Sequence, residues 1–342
     1  MNKKRIIFFG SGDFPRETFE HLIVSMKYLD NCPYEVVGLV TSHDKCEDKG
    51  KTLKEVAEEE KIPIAVVKNC DDDELYNWCK DLQSDIFVVI SFKKIPQRLL
   101  ELVNGNAFNV HASILPFLRG SNPIRWAIRH EMSETGLTAI ELNDKIDTGN
   151  ILHNVIVPID RNDNYGSLKE KLAHNCASFT DFVIRKYYAF NEARPSIAQT
   201  NCGIINPLFY APKLNINYHH IEHSEDLKTV LRSLAPYDGL RCRLVVTQKR
   251  PTTQLLIGYW YEPIKTYDCT IWGVHKAAQG EKTLIEIFHS NIMDRIYPTY
   301  IVDELQIQGK KRMSYSQFIN GFKYLKNVKK DNEEYKVRIE IY

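Results

Sequence analysis

Residues Ala107–Ile128 read AFNVHASILPFLRGSNPIRWAI. The stretch begins with Phe108 and Val110 alternating with Asn109 and His111, a pattern that predicts a buried strand. Alternate residues of a strand point to the same face, so the amide and the imidazole share one face. At the carboxyl end of a parallel strand, such side chains project into the crevice where open α/β sheets bind ligands. The pattern predicts a functional site, although a strand end with purely structural polar side chains would look the same.

Strands and helices alternate on both sides of this stretch. Continuous apolar runs such as Ser84–Ser91 are typical of parallel strands that are buried on both faces. The alternation predicts an α/β fold with a doubly wound, mostly parallel sheet of the Rossmann-like type. The predicted strands are Arg5–Phe9, Tyr34–Val40, Ile62–Val67, Ser84–Ser91 and Phe108–His111, and the predicted helices are Glu17–Tyr28, Leu53–Lys61, Asp71–Leu82, Lys94–Val103 and Pro123–His130.

The first domain is predicted to end with a hairpin and a long helix. Thr135–Leu142 and Ile151–Pro158 predict an antiparallel hairpin that is added to the sheet edge. Ser167–Tyr188 has the period of an amphipathic helix, which would close a first domain over residues 1–190. Residues 191–213 contain three prolines and no clear period, which predicts a linker.

The remaining residues, 214–342, have a different pattern. Short strands separated by turns predict a smaller OB-like β-barrel domain. The predicted strands are Arg241–Val246, Gln254–Tyr261, Thr270–His275, Thr283–His289 and Tyr300–Ile307, and the predicted helices are Glu225–Ser233 and Tyr315–Tyr324.

Composition narrows the class of protein. The chain has 342 residues, of which 43% are hydrophobic and 26% charged, with a formal net charge of +1. These values are ordinary for soluble globular domains, and no run reaches the roughly 20 apolar residues of a membrane span. The eight cysteines form no C-x-x-C pair, so reduced thiols and a cytoplasmic location are expected. Residues Ser196–Tyr342 carry 20 Lys and Arg against 15 Asp and Glu, which is compatible with a polyanionic partner.

Two motifs resemble the signature of folate-dependent formyltransferases. The first is Asn109-x-His111-x-Ser113-Ile114-Leu115-Pro116, followed by Arg119-Gly120 and Pro123-Ile124, and the second is Lys145-Ile146-Asp147-Thr148-Gly149. The resemblance implies that 10-formyltetrahydrofolate is the co-substrate, that no metal takes part, and that the protein is a monomer. It implies catalytic roles for Asn109, His111 and Asp147. By the same resemblance, the folate-contacting residues are Ser113, Ile114, Leu115, Pro116, Ile90, Ser91 and Phe92.

The three implied catalytic residue types suit formyl transfer. A neutral amide such as that of Asn109 can donate to an oxyanion. His111 can donate or accept a proton near neutral pH. Asp147 can orient the imidazole and polarise the attacking amine. Two structural alternatives are open: Asp147 could be a turn residue, and the SILP sequence could simply terminate a strand.

Further motifs resemble the methionyl-tRNA branch of the family. They are Tyr210-Ala211-Pro212-Lys213-Leu214 and Gly309-Lys310-Lys311-Arg312-Met313-Ser314. The implied acceptor is initiator methionyl-tRNA, with Lys310, Lys311 and Arg312 near its phosphates, although a basic run is also typical of a solvated turn. The segment Arg119–Trp126 also resembles sugar-nucleotide N-formyltransferases, and the loop Ser42–Lys51 is shorter than is usual in the methionyl-tRNA branch. A non-catalytic RNA-binding module is a third hypothesis, against which the complete Asn, His and Asp set argues.

Three other site hypotheses have weaker support. The turn Gly10–Pro15 lacks the third glycine of a dinucleotide-binding loop, so it is better interpreted as a strand-to-helix turn beside the crevice. His219, His220 and His223 could suggest a metal site, but no carboxylate or cysteine pattern of a metal site accompanies them, and histidines in a linker-like stretch are more often exposed to solvent. Asp71–Asp73 is better explained as an acidic helix start.

Overall fold

The computed structural model describes residues 2–42, 50–143, 145–190, 192–199, 210–211, 227–236, 240–251, 259–276, 285–289, 300–308, 310–314, 316–318 and 335–341. The chain divides into two compact units, Met1–Lys213 and Leu214–Tyr342. No helix in the described part of the chain is both long and apolar enough to cross a bilayer.

A seven-stranded sheet forms the centre of the first unit. Its strands are β1 Lys4–Gly10, β2 Tyr34–Thr41, β3 Ile64–Val66, β4 Ile86–Ile90, β5 Ala107–His111, β7 Glu134–Glu141 and β8 Ile151–Pro158; β6 is the short segment Arg119–Gly120. The order across the sheet is β3-β2-β1-β4-β5-β7-β8. The strands from β3 to β5 are parallel, whereas β7 is antiparallel to β5 and β8 is antiparallel to β7. The predicted mostly parallel sheet with an added edge hairpin is therefore confirmed.

Helices cover both faces of this sheet. They are α1 Arg16–Tyr28, α2 Leu53–Glu59, α3 Asp73–Asp81, α4 Gln97–Glu101, α5 Pro123–Arg129 and α6 Tyr165–Val183, the last continued by a π-helical turn over Ile184–Ala189. Ile6 and Phe8 of β1 pack into the core that α1, α2 and α6 cover. Ile7 and Phe9 point to the other face and pack against α3 and α4. All four side chains are fully buried, which explains the continuous apolar run in the sequence.

Several helix boundaries differ from the sequence prediction for local reasons. α6 begins at Tyr165, two residues before the predicted start, because Asn164 and Ser167 form a reciprocal capping box. Its predicted end is shared between the α-helix and the π-helical turn. α4 is shorter than predicted, because Pro96 is extended and the helix starts only at Gln97.

A second, two-stranded sheet in the first unit has no counterpart in the sequence prediction. β6 pairs in parallel with β9, Tyr210–Ala211. Ile197 forms an isolated antiparallel bridge to Ile151 at the start of β8. Described parts of residues 191–213 are thus paired with the first unit, although the division of the chain into domains and linker remains a prediction.

The second unit contains a helix and a six-stranded sheet. Its elements are α7 Leu227–Leu234, β10 Leu240–Pro251, β11 Tyr259–Lys276, β12 Ile285–His289, β13 Tyr300–Ile307, β14 Met313–Ser314 and β15 Tyr335–Ile341. The strand order is β12-β15-β10-β11-β13-β14, and each pair is antiparallel except β12 with β15.

One expectation for this unit is wrong. The sequence predicts a break between two strands, Gln254–Tyr261 and Thr270–His275, where one strand runs without interruption over Tyr259–Lys276; residues 254–258 lie outside the described residues. The polar residues between them and Pro263 suggest a turn. Pro263 instead pairs with Thr247 next to a register shift, a position at which a strand tolerates proline. Ser316–Phe318 is helical, and the rest of the predicted helix, Tyr315 and 319–324, lies outside the described residues.

Candidate active site

The carboxyl end of β5 presents Asn109 and His111 on one face. Phe108 and Val110 point to the opposite face and join the hydrophobic core. The Phe108 ring stacks on Tyr188 with 5.2 Å between ring centroids. Burial raises the pKa of Tyr188 to about 12, so this hydroxyl is neutral at physiological pH and adds no charge behind the site. The strand thus fixes two polar side chains above a neutral, tightly packed core.

Asp147 lies in the turn that joins β7 to β8. Its φ of +53° is left-handed, a conformation that costs an ordinary residue on the order of 1 kcal/mol. A Cβ on Gly149 would lie 1.6 Å from the carbonyl oxygen of Glu141, so only glycine fits there. The side chain of Asn143 accepts hydrogen bonds from the amide of Lys145 and the hydroxyl of Thr148, at 2.9 and 3.1 Å. These contacts restrict the backbone of the Asp-Thr-Gly turn to one conformation, which explains its sequence.

The turn brings Asp147 to the two polar residues of β5. The Asn109 side-chain amide donates to Oδ1 of Asp147 at 3.4 Å. Nδ1 of His111 lies 3.5 Å from Oδ2 of Asp147, and both side chains are almost fully buried. The backbone amide of Gly120 donates to the same Oδ2 at 2.9 Å. The three residues from separate sequence motifs therefore form one cluster.

The tautomer of His111 follows from its second contact. Nε2 lies 2.8 Å from the carbonyl oxygen of Leu118. A carbonyl can only accept, so Nε2 carries a proton in the neutral and the charged imidazole alike. Nδ1 is then the nitrogen that can take up or release a proton, and it faces Asp147. Leu118 has a left-handed φ of +57°, which is uncommon for a non-glycine residue and helps to direct this carbonyl.

A cavity of about 400 Å³ opens over the cluster. Its wall includes Asn109, His111 and Asp147 together with Ser91 and Phe92. Ile90 is buried in β4 and does not line the cavity. Further lining residues include Phe14, Val89, Lys93, Lys94, Ile95, Ile140, Glu141, Leu142 and Lys145. The cavity combines apolar walls with a few converging polar groups, as small-molecule sites commonly do.

The turn Ser113–Pro116 lies beside this cavity without lining it. Ser113 and Leu115 are buried. The hydroxyl of Thr138 donates to the Ser113 carbonyl at 2.7 Å and accepts from the Leu115 amide at 3.1 Å, which ties the turn to β7. The Ser113 hydroxyl donates to the Phe117 carbonyl at 2.6 Å. The described contacts of this turn hold its own backbone, and its predicted role in folate binding remains a prediction.

A second cavity of about 350 Å³ adjoins the first. The turn that follows β1, Ser11–Asp13, forms one wall, so this turn lies beside the crevice as the sequence indicated. Lys169 and Asp13 form an ion pair at 2.8 Å, with both side chains largely buried. The Arg125 guanidinium lies 3.7 Å from the centroid of the Tyr165 ring. Ser91 lines both cavities, which therefore meet next to the polar cluster.

Sequence reasoning missed several residues of this region. Gly120 is recognisable in the sequence only as part of a motif, and nothing in the sequence indicates that its backbone amide contacts Asp147. Lys169 looks like any exposed lysine of an amphipathic helix, and Gln199, which contacts the Asp147 turn, lies in the stretch without a period. The described residues contain no group of three or more metal-binding side chains. The histidines at 219, 220 and 223 and most of the loop Ser42–Lys51 lie outside the described residues.

Comparison with known proteins identifies the family. A family model described as formyl transferase matches residues 4–179. The chain is 26% identical to the methionyl-tRNA formyltransferase of Flavobacterium johnsoniae, an alignment that covers 96% of this chain and 99% of that relative. It is 29% identical to the methionyl-tRNA formyltransferase of Desulforamulus reducens, over 93% of this chain and 94% of the relative.

A solved structure shares the fold. The N-formyltransferase from Helicobacter canadensis, in complex with folinic acid and dTDP-3-aminofucose, superposes with a TM-score of 0.51. The two sequences are 20% identical, and the match covers 68% of this chain and 79% of that one. The family model covers more than half of the chain, including β5 and the Asp147 turn. The chain belongs to the formyl transferase family of enzymes.

Proposed function

We propose that this enzyme transfers the formyl group of 10-formyltetrahydrofolate to the α-amino group of initiator methionyl-tRNA. The observation that carries the proposal is the length of the similarity. Alignment with the Flavobacterium johnsoniae methionyl-tRNA formyltransferase runs through both units of the chain and almost all of the relative. On this proposal the protein acts as a monomer in the cytoplasm, where translation begins.

The first cavity is the proposed site of the folate donor. Phe92 and Phe14 offer aromatic surface, and Lys93, Lys94 and Lys145 offer positive charge toward the anionic glutamate tail of a folate. The cavity volume of about 400 Å³ lies within the range of roughly 300 to 1,000 Å³ that is usual for small-molecule sites. The proposed donor-contacting residues are those the sequence indicated: Ile90, Ser91, Phe92, Ser113, Ile114, Leu115 and Pro116.

The proposed chemistry requires one hydrogen-bond donor and a path for one proton. The neutral acceptor amine attacks the formyl carbon, a carbon–nitrogen bond forms, and the carbonyl oxygen becomes an oxyanion. The side-chain amide of Asn109 donates to that oxyanion. The bond between the formyl carbon and N10 of the folate then breaks. The proton that the amine loses ends on N10, so the transfer is balanced without a further reactant.

His111 and Asp147 are the proposed path for that proton. Only Nδ1 of His111 exchanges a proton, because Nε2 is committed to the Leu118 carbonyl. Oδ2 of Asp147 lies 3.5 Å from Nδ1 and provides a negative charge that favours a positively charged amine or imidazole in the transition state. The Gly120 amide limits the rotation of the Asp147 carboxylate.

The second cavity is the proposed site of the acceptor's reacting end. It meets the first cavity beside Ser91, so an amine entering from it approaches the cluster from a different side than the donor. Its wall includes apolar surface from Phe14, Pro123 and Ile124, which suits a methionyl side chain. Arg125 adds positive charge, which suits the phosphate of a terminal nucleotide, whereas the charge of Lys169 is balanced by Asp13.

The second unit is the proposed tRNA-binding domain, with an OB-like barrel. Lys310 and Lys311 are exposed next to β13. Arg312 pairs with Glu304 of the same unit. Cationic side chains on one surface bind a phosphate backbone whatever its sequence.

A sugar-nucleotide acceptor is the second candidate, favoured by the sequence of β6 and α5. Arg119–Trp126 resembles the corresponding segment of sugar-nucleotide N-formyltransferases. This acceptor would place a much smaller polyanion in the second cavity and would leave the second unit without a role in substrate binding.

A competition assay tests the two candidates. Purified enzyme with 10-formyltetrahydrofolate is offered charged initiator tRNA together with dTDP- and UDP-linked amino sugars, and the formylated products are separated by mass spectrometry. We expect formyl-methionyl-tRNA as the main product. Formylation of an amino sugar with a larger kcat/KM than that of the charged tRNA would replace the proposal by the second candidate.

A further inference from the structure

Gln199 contacts the Asp147 turn from a segment that the sequence predicts to be a linker. Its Nε2 donates to the carbonyl oxygens of Asp147 and Gly149, at 3.0 and 2.8 Å. Its Oε1 accepts from Nε and Nη2 of Arg119, at 2.9 and 2.6 Å. A guanidinium can only donate and a carbonyl can only accept, so the amide has one possible orientation. The side chain uses both of its donor hydrogens and its acceptor oxygen in this position.

The contacts connect both supports of the Asp147 carboxylate. One support is the left-handed backbone of the turn, whose carbonyls Gln199 holds. The other is the amide of Gly120, which donates to the carboxylate. Arg119 precedes Gly120, and its guanidinium is held by the same glutamine. A single side chain therefore fixes the backbone that carries the carboxylate and the strand that donates to it.

The position of Asp147 depends on these supports, because its backbone is strained. A left-handed aspartate persists only where its surroundings impose the conformation. Two of the three residues in the Asp147–Gly149 turn have their carbonyls held by Gln199. Without these hydrogen bonds the turn can relax, and the carboxylate then moves relative to His111. Misplacement by about 1 Å can lower a rate by roughly 100-fold.

We infer that Gln199 is a positioning residue for formyl transfer, acting through Asp147. This inference rests on the proposed role of Asp147 in the reaction. Gln199 does not line either described cavity, so it is not proposed to touch the substrates. Its function is to hold the turn and β6 at the distance that the His111–Asp147 contact requires.

Gln199→Glu removes the hydrogen-bond donor of the side chain and retains its acceptor. The carboxylate keeps an acceptor for Arg119, and it replaces the donor NH2 with an oxygen that faces two carbonyls. We expect kcat to fall between about 10-fold and 100-fold, while the dissociation constant of 10-formyltetrahydrofolate changes by no more than a few-fold. Gln199→Met retains the length of the side chain but has neither polar group. It should likewise lower kcat without changing the dissociation constant of 10-formyltetrahydrofolate by more than a few-fold. Ile197→Ala is the matched control in the same segment, because its side chain is 59% exposed and its bridge to Ile151 uses backbone atoms.

A double-mutant cycle with Asp147→Asn distinguishes positioning from general stabilisation. If Gln199 acts through Asp147, adding Gln199→Glu to Asp147→Asn should lower kcat by less than about twofold further. The inference would be overturned if the fall in kcat of the double variant equalled the product of the two single-variant losses. Wild-type turnover in folded Gln199→Glu and Gln199→Met would overturn it as well. Full turnover in Asp147→Asn alone would instead remove the proposed role of Asp147, so the two failures are distinguishable.

Discussion

Nδ1 of His111 lies 3.5 Å from Oδ2 of Asp147, one residue at the end of β5 and the other in the β7–β8 turn. The opposite nitrogen of the ring, Nε2, is held by the Leu118 carbonyl, which fixes the orientation of the imidazole. The Gly120 amide donates to the same Oδ2, and the Asn109 side-chain amide donates to Oδ1. If His111 and Asp147 form the proposed proton path, side chains that are already oriented in this way lose little freedom when a substrate binds, which favours turnover.

Asn109→Ala and His111→Ala should each lower turnover by roughly 100-fold or more, the usual scale for loss of an oxyanion donor or a proton shuttle. Steady-state kinetics of purified variants, with thermal unfolding to verify folding, measure the effect. Asn154→Ala is a suitable control, because it removes an exposed asparagine from β8. Wild-type turnover in either folded variant would contradict the catalytic assignment.

Asp147→Asn should depress turnover strongly and leave folate affinity within a few-fold of wild type. The asparagine carbonyl can still accept from Gly120, but its NH2 group then faces the donor of Asn109, and the negative charge beside His111 is lost. Equilibrium binding of a folate analogue and single-turnover kinetics separate the two effects. If folate affinity and turnover fall in parallel, Asp147 is a binding or structural residue.

Arg125→Gln should raise the KM of the acceptor and leave the folate dissociation constant unchanged. The guanidinium that stacks on Tyr165 lies at the second cavity, away from the proposed donor site. Loss of the positive charge of this buried side chain from the wall of the second cavity should reduce the affinity for an anionic acceptor by roughly 10-fold. Initial rates at varied acceptor concentration measure it, and a matching loss of folate affinity would show that the two cavities are not separate sites.

Replacement of Lys310, Lys311 and Arg312 by Ala should raise the KM for charged tRNA and flatten its dependence on salt. For a duplex, the slope of log K against log salt should fall by roughly 0.9 for every phosphate that is no longer bound. Arg312 is paired with Glu304, so most of the change is expected from the two exposed lysines. The KM for 10-formyltetrahydrofolate should not change. An unaltered tRNA KM across the salt titration would favour the sugar-nucleotide acceptor.

The ionised side chain of Asp163 should stabilise the first unit at neutral pH, and this stabilisation should be lost at acidic pH. Burial alone would raise the pKa of this carboxyl, but hydrogen bonds from Lys171, the Asp160 amide and Ser167 outweigh it and hold the pKa below its usual range. A lowered pKa in the folded state means that the stabilisation is complete above the unfolded value of about 4 and is lost as pH falls through the folded pKa.

Asp163→Asn tests this pH dependence. It should lower the Tm at about pH 7, and the difference from wild type should shrink as pH falls below about 4. Thermal unfolding followed by circular dichroism, from about pH 3 to about pH 7, provides the measurement. Asp160→Asn is a useful comparison, because Asp160 accepts from the same Lys171 but is far more exposed. A Tm difference that does not vary with pH would rule out the proposed charge effect.

The sequence by itself determined the order of the parallel strands along the chain and the residue pair on β5. β1 and β4 are continuous apolar runs because both of their faces are buried. Such runs can be recognised in the sequence alone. Asn109 and His111 share a face because of strand geometry alone, without reference to other parts of the chain. Asp147 is found through its motif, whose glycine is required by the close approach of the Glu141 carbonyl.

The tertiary structure decided which distant groups support the pair. The Leu118 carbonyl, the Gly120 amide and the side chain of Gln199 act through hydrogen bonds to residues elsewhere in the fold, and hydrogen bonds leave no periodic pattern in the sequence. The pairing of β6 with β9 has the same origin, since two residues are too few to form a recognisable strand pattern. Hydrophobic burial is repeated along an element and can be read locally, whereas the position of a functional carboxylate depends on contacts that only the folded chain brings together.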